Sequence, residues 1–163
     1  MRHLVPTLAA AALAVTLAGC GKSGSGSQPA GEQAVPPSRM SDAEKQAALA
    51  TLPAPYNTAD LANGEAKFAL CSTCHTLPEG APNLTGPNLH GFVGRKAGTS
   101  AGFTYSDALK GTGWTWDPAT LDTWIADPKV AAPGTKMTFA GLKDPKDRTD
   151  VIAYVMIGSG FKP

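Results

Sequence analysis

The chain has 163 residues, 14 basic and 13 acidic, for a formal net charge of +1. That balance excludes the strong basic excess of a nucleic-acid-binding surface. The length allows one ordinary domain or a smaller one with tails, and 18 Gly with 14 Pro point to extensive loop.

Residues 1–19 read as an export signal. Arg2 and His3 give a short positive start, and Leu4 to Leu17 is an apolar, Ala-rich run. The run is too short for a transmembrane helix, which needs about 20 apolar residues. It ends Leu17-Ala18-Gly19-Cys20, which resembles a bacterial lipobox, where cleavage leaves an acylated cysteine first. An ordinary secretory signal is the alternative. Several acyl chains on Cys20 would anchor stably, where one alone anchors marginally.

Residues 20–55 are read as a lipidated cysteine and linker. The stretch 21–40 is rich in Gly, Ser and Pro and cannot bury a core. A coil of that kind spans roughly 25 Å r.m.s.. Ser41 and Glu44 form a capping-box pattern, so 41–52 has a helix signal. Its apolar face is thin, and it is assigned to the linker, with Pro53 and Pro55 ending it.

Residues 56–163 are read as one small all-α domain. Helix signals fall at Asp60–Leu70, at 118–126 after Asp117-Pro118, and at 145–157 after Asp144-Pro145. No β alternation appears. Two long loops, 76–104 and 127–144, separate the helices, and long loops in a compact domain are functional or disordered. A large apolar cofactor inside would account for both loops and for the modest core.

The decisive stretch is Cys71-Ser72-Thr73-Cys74-His75. Structural zinc wants four ligands, and His75 follows Cys74 too closely for common spacings. A thioredoxin-like dithiol would sit at a helix N-terminus after a strand, whereas this motif follows a helical stretch. In C-x-x-C-H both thiols can add to the two vinyl groups of haem. One helical turn presents both sulfurs to the same porphyrin edge, and the histidine reaches the iron. The expected cofactor is therefore one covalent haem c.

The second axial ligand is expected from Met137, in the loop Pro133-Gly134-Thr135-Lys136-Met137. A thioether favours ferrous iron, so a His/Met pair raises the reduction potential. Met156 sits among apolar residues of the last helix and reads as core. His90 reads as a loop histidine held by the backbone, and Met40 lies in the linker.

The segments CSTCHT, TGPNLHGFVGRKAG, GFTYSDALK, PGTKMTFAGLK and DVIAY together resemble the class I cytochromes c, in their mitochondrial-like group. The resemblance covers about residues 60–157. It implies that Pro87 supplies a backbone carbonyl to the second nitrogen of His75. It implies that Arg95, Tyr105, Trp116 and Thr135 bond or neutralise the haem propionates. Gly64, Phe68 and Tyr154 match the crossing of the first and last helices, and Phe139 an aromatic beside the haem. It also implies a monomeric single-electron carrier rather than an enzyme. Such a carrier would run from a quinol-oxidising bc-type complex to a terminal oxidase, at the periplasmic face of a bacterial membrane, the inner one favoured. A labile sixth ligand would instead mean a haem enzyme or gas sensor.

Two departures from that pattern stand out. Trp124 replaces a tyrosine whose hydroxyl reaches the methionine sulfur, and Leu109 replaces an asparagine near a buried water. Both make the pocket more apolar and are expected to shift the potential. Redox titration of Trp124→Tyr tests this, and an unchanged midpoint refutes it. Lys129, Lys136 and Lys143 remain of the lysine-rich docking face, while Val130 and Asp144 stand where lysine is frequent. From residue 56 onward there are 10 basic and 10 acidic residues. Steering by net charge is therefore expected to be weak, and a tether could compensate by confinement.

Overall fold

The computed structural model describes residues 40–162. The expected export signal (1–19), Cys20 and the stretch 21–39 lie outside the described residues. The elements in order are α1 (Asp42–Thr51), a 3-10 turn (Tyr56–Thr58), α2 (Leu61–Ser72), α3 (Asp107–Gly111), α4 (Pro118–Ala126), α5 (Pro128–Ala131) and α6 (Pro145–Gly158). Among the described residues there is no strand, only one isolated antiparallel bridge between Lys96 and Thr115. The fold is small and all-α.

The helix starts follow side-chain chemistry. Asp60 accepts from the N–H groups of Ala62 and Asn63 to open α2, Asp117 accepts from Thr120 to open α4, and Asp144 accepts from Lys146 and Asp147 to open α6. Each satisfies donors that the first helical turn leaves unpaired. Two short helices were not apparent from periodicity. Ser106 caps α3, and Asp127 caps α5 inside what reads as the second long loop.

The frame is the crossing of α2 and α6. Gly64 makes it close, since a Cβ there would stand 2.3 Å from the carbonyl oxygen of Asp150. Phe68 and Tyr154 meet beside it with ring centroids 5.5 Å apart. Arg148 then ties α6 to α4 through Asp122 (2.8 Å) and holds the carbonyls of Leu142 and Lys143.

The structure corrects the assignment of 41–55 to the linker. The capping box at Ser41 and Glu44 is formed, and Leu49 and Leu52 are buried in one cluster with Leu61, Ile152, Ala153 and Met156. The apolar face is thin, but two leucines three apart suffice because α6 offers Ala153 and Met156 to meet them. Burying each leucine is worth about 1.5–3 kcal/mol.

Asp150 is the buried ionisable group of the frame, at 2% exposure. It accepts from the Asp60 N–H (2.9 Å), the Asn63 side chain (2.7 Å) and Lys146 (2.5 Å). Burial pushes its carboxyl up, but Lys146, Asn63 and Asp60 together outweigh this and hold it below the usual carboxylate range. A depressed carboxylate stabilises the fold above its unfolded value, and that contribution is lost as pH falls through the folded value. Asp150→Asn is therefore expected to cost about 2 kcal/mol near neutrality. It should also flatten the acid limb of thermal melts taken against pH. An equally steep limb in the variant would show that other carboxylates govern acid unfolding.

Candidate haem site

A cavity of about 400 Å³ lies between α2, α6, α4 and the two loops. That is within the range of about 300–1,000 Å³ typical of cofactor sites. Cys71, Cys74, His75, Pro87, Arg95, Tyr105, Trp116, Thr135 and Met137 all line it. Phe68, Val151, Ile152 and Val155 supply apolar wall from the helix crossing. The fold thus brings the nine residues expected at the haem to one space. Met156 and His90 do not line it. Met156 is fully buried with Leu49 and Leu52, and His90 lies by Gly160 with Nε2 3.9 Å from Glu79.

The CSTCH motif occupies the end of α2 and the turn after it. The N–H groups of Cys74 and His75 both bond to Cys71 O, at 3.0 and 2.9 Å. One turn therefore carries both sulfurs and the imidazole. Burial, and secondarily Cys74, push the Cys71 thiol up to about 11. Burial also pushes His75 down, against the pull of the Pro87 carbonyl. The neutral ring donates from Nδ1 to Pro87 O at 2.8 Å, which leaves the Nε2 lone pair free for a metal.

Gly86 was not singled out in sequence, and its role is steric. A Cβ there would stand 2.3 Å from His75 Cε1, so only glycine lets the chain pass the ring and still place Pro87 O on Nδ1. The signal was present in Thr85-Gly86-Pro87, read only for its proline. Asn88 was missed as well. Its side chain donates to Thr76 O and Oγ1 and to Pro78 O, bracing the loop around His75. Gly86→Ala should displace the ring or the loop at about 2 kcal/mol. Melting followed at the haem band should drop by about 10 °C. An unchanged melt would mean that the loop yields freely.

Met137 is delivered by a turn. α5 ends at Ala131, Gly134 takes φ +93°, and Thr135 N–H returns to Ala132 O at 3.0 Å. Thr135 Oγ1 accepts from Met137 N–H, and its own hydroxyl proton remains to be donated. Met137 packs with Leu109, Trp124 and Ala132. Trp124 is buried, meets Trp114 edge to face and packs at a tilt on Trp116, so the tryptophan fills this side of the cavity as well as lining it.

The donor set tests the fit of haem. Among the described residues the Arg95 guanidinium, the Tyr105 hydroxyl and the Trp116 indole N–H pair with no protein group, and none is a sealed, unpaired atom. They open on a mainly apolar cavity that no acidic residue lines. An apolar ring with carboxylate substituents suits that lining, and two thiols with a metal-ready imidazole complete the set.

A family model described as Cytochrome c matches residues 61–158. The chain belongs to the cytochrome c family. It is 52% identical over 96 residues to a cytochrome c2 of Rhodoplanes tepidamans, covering 59% of this chain and 90% of that protein. It is 42% identical over 106 residues to cytochrome c of Kluyveromyces lactis, covering 64% and 96%. Among solved structures it is similar to cytochrome cH from Methylobacterium extorquens, at 50% identity and TM-score 0.56, covering 60% of this chain and 98% of that one. As a cytochrome c the protein carries one covalent haem c and acts as a monohaem electron carrier, not an enzyme. Residues 40–60, with α1 and the 3-10 turn, precede the segment that the family model matches.

Proposed function

We propose that this cytochrome c is a lipid-anchored respiratory carrier. Cys20 holds the acyl chains at the periplasmic face of a bacterial membrane, the inner one favoured. Electrons come from a quinol-oxidising bc-type complex and leave to a terminal oxidase. The lipobox pattern and the tether composition of 21–39 support the anchor. Among the described residues no helix is long and apolar enough to cross a membrane.

The observation that carries the site reading is the His75–Pro87 bond at the wall of a cavity that Met137 also lines. Bound haem supplies a one-electron ferric/ferrous couple. Cys71 and Cys74 would hold it covalently, and His75 Nε2 and the Met137 sulfur would ligate its iron. Pro87 O orients the imidazole and keeps the proton on Nδ1. Arg95, Tyr105, Trp116 and Thr135 would donate to the propionates, which a low-polarity site must pair. Both axial side chains are held by backbone turns, so little has to move when the charge on the site changes.

An absorption spectrum of the purified protein tests the site, oxidised, then reduced, then under carbon monoxide. The reading requires c-type bands, a weak far-red ferric band and no change with carbon monoxide. Ready carbon monoxide binding would move the protein to the class of open-site haem proteins. Flotation with membrane vesicles, lost in Cys20→Ala, tests the anchor separately.

A further inference from the structure

Both ends of the segment that presents Met137 close on the junction of α4 and α5. Upstream, Asp127 follows the last residue of α4 and caps α5, accepting from Val130 N–H. Downstream, Leu142 N–H donates to Ile125 O at 2.8 Å. Lys143 Nζ then donates to Ala126 O at 2.9 Å and to Asp127 Oδ2 at 2.8 Å. Residues 127–143 thus form a loop whose ends lie side by side, as in compact Ω-shaped loops. Lys143, which sequence places on a docking face, is engaged by its own chain.

Gly141 lets the two ends meet. It takes φ +90°, and a Cβ there would stand 2.2 Å from Ala126 O, the carbonyl that Lys143 holds. Arg148 braces the closing end, donating to Leu142 O and Lys143 O while it pairs with Asp122 of α4. An ammonium on the last carbonyl of α4 also suits the negative end of that helix.

Met137 depends on this closure from one side. Upstream its N–H bonds to Thr135 Oγ1 at 3.2 Å, and Thr135 N–H returns to Ala132 O. Downstream, residues 138–141 make no backbone–backbone hydrogen bond among the described residues. The first fixed point after Met137 is therefore Leu142 with Lys143. With that point released, the stretch that carries the thioether to the cavity is tied at one end only.

We propose that Lys143, Asp127 and Gly141 are positioning residues for Met137, clasping its loop shut and setting how readily the methionine gives up its place at the iron. The proposal rests on the reading of Met137 as axial ligand. Opening of the clasp moves no electron and no proton. The sulfur withdraws, and an added ligand takes the vacated position. The Lys143 and Asp127 side chains are 67% and 39% exposed, so the ion pair alone is a modest tie, and Gly141 carries the larger effect.

The ferric full-length holoprotein is mixed with excess imidazole, and loss of the far-red band gives the rate at which Met137 is replaced. Lys143→Met keeps the stem, removes the charge, and should speed replacement at least about threefold. Gly141→Ala should speed it at least about tenfold. Asp127→Asn keeps an oxygen for the α5 cap. Added to Lys143→Met it should contribute less than about 1.5-fold, because both act through one contact. Lys67→Met breaks an ion pair with Asp147 that joins α2 to α6 instead, and should stay within about twofold of the parent. Backbone hydrogen exchange is the second readout. The N–H groups of Met137 and Leu142 should exchange at least about threefold faster in Lys143→Met and at the parent rate in Lys67→Met. Replacement at the parent rate in Lys143→Met overturns the proposal, whether or not Gly141→Ala folds. So does equal acceleration in Lys67→Met, since the domain would then open as a whole. Faster replacement with unchanged exchange at Leu142 also overturns it, because the sulfur would then leave without the loop opening. A parent that binds carbon monoxide as soon as it is reduced strikes the ligand reading instead, and exchange at Leu142 still decides the clasp.

Discussion

Met137→Ala will turn a closed haem site into an open one. The ferrous variant should bind carbon monoxide on mixing, and the ferric variant should lose its far-red band. The reduction potential should fall by on the order of 0.2 V, a part of the range of about 0.8 V that axial ligands span. Met137 packs with Leu109, Trp124 and Ala132, none of which can ligate iron. The other candidates are out of place. Met156 is fully buried on the α1 side of α6, and His90 lies by Gly160 and Glu79. Met156→Leu is the control, a swap of similar volume that should cost under about 1.5 kcal/mol and leave the spectrum intact. If Met137→Ala stays inert to carbon monoxide with its far-red band, the ligand assignment is wrong.

The attachment motif was legible in sequence because its chemistry is local: CSTCH needs one helical turn, so spacing alone brings Cys71, Cys74 and His75 together, whereas Pro87, Arg95, Tyr105, Trp116 and Thr135 were legible only through the family resemblance. The helices were legible where a cap and a proline coincide, at Asp117-Pro118 and Asp144-Pro145. What was hidden depends on partners distant in sequence. α1 has a weak apolar face by itself, and only the pairing of Leu49 and Leu52 with Ala153 and Met156, some hundred residues on, makes it part of the domain. Gly86 reads as an ordinary turn glycine until the His75 ring is seen beside it. α3 and α5 are too short for periodicity, and their caps, Ser106 and Asp127, carry the signal alone. Trp124 was read as a departure near the methionine. Its edge-to-face contact with Trp114 and tilted contact with Trp116 show that it also builds the wall.

Gly64→Ala should be among the most damaging single-methyl additions outside the haem site. The added Cβ would meet Asp150 O at 2.3 Å, Asp150 C at 2.9 Å and Tyr154 Cβ at 2.9 Å. Two of these are backbone atoms of α6, which cannot rotate away as a side chain can. The helices must therefore separate. Separation loosens the Phe68–Tyr154 contact and lengthens the bonds that Asp150 accepts from Asp60 and Asn63. It also moves Val151, Ile152 and Val155, which wall the cavity. Alanine favours a helix over glycine by about 1 kcal/mol, and the clash must exceed that gain. The net cost should be about 3 kcal/mol, near the upper end for overpacking. Melting should fall by about 10–15 °C in a domain of this size. Gly111→Ala is the matched control. No atom stands within 4 Å of its Cβ and its φ is not positive, so it should be neutral or slightly stabilising. The comparison separates helix propensity from close approach. If the two variants melt alike, the α2–α6 crossing tolerates a methyl group, and the frame that holds the cavity is softer than its geometry indicates.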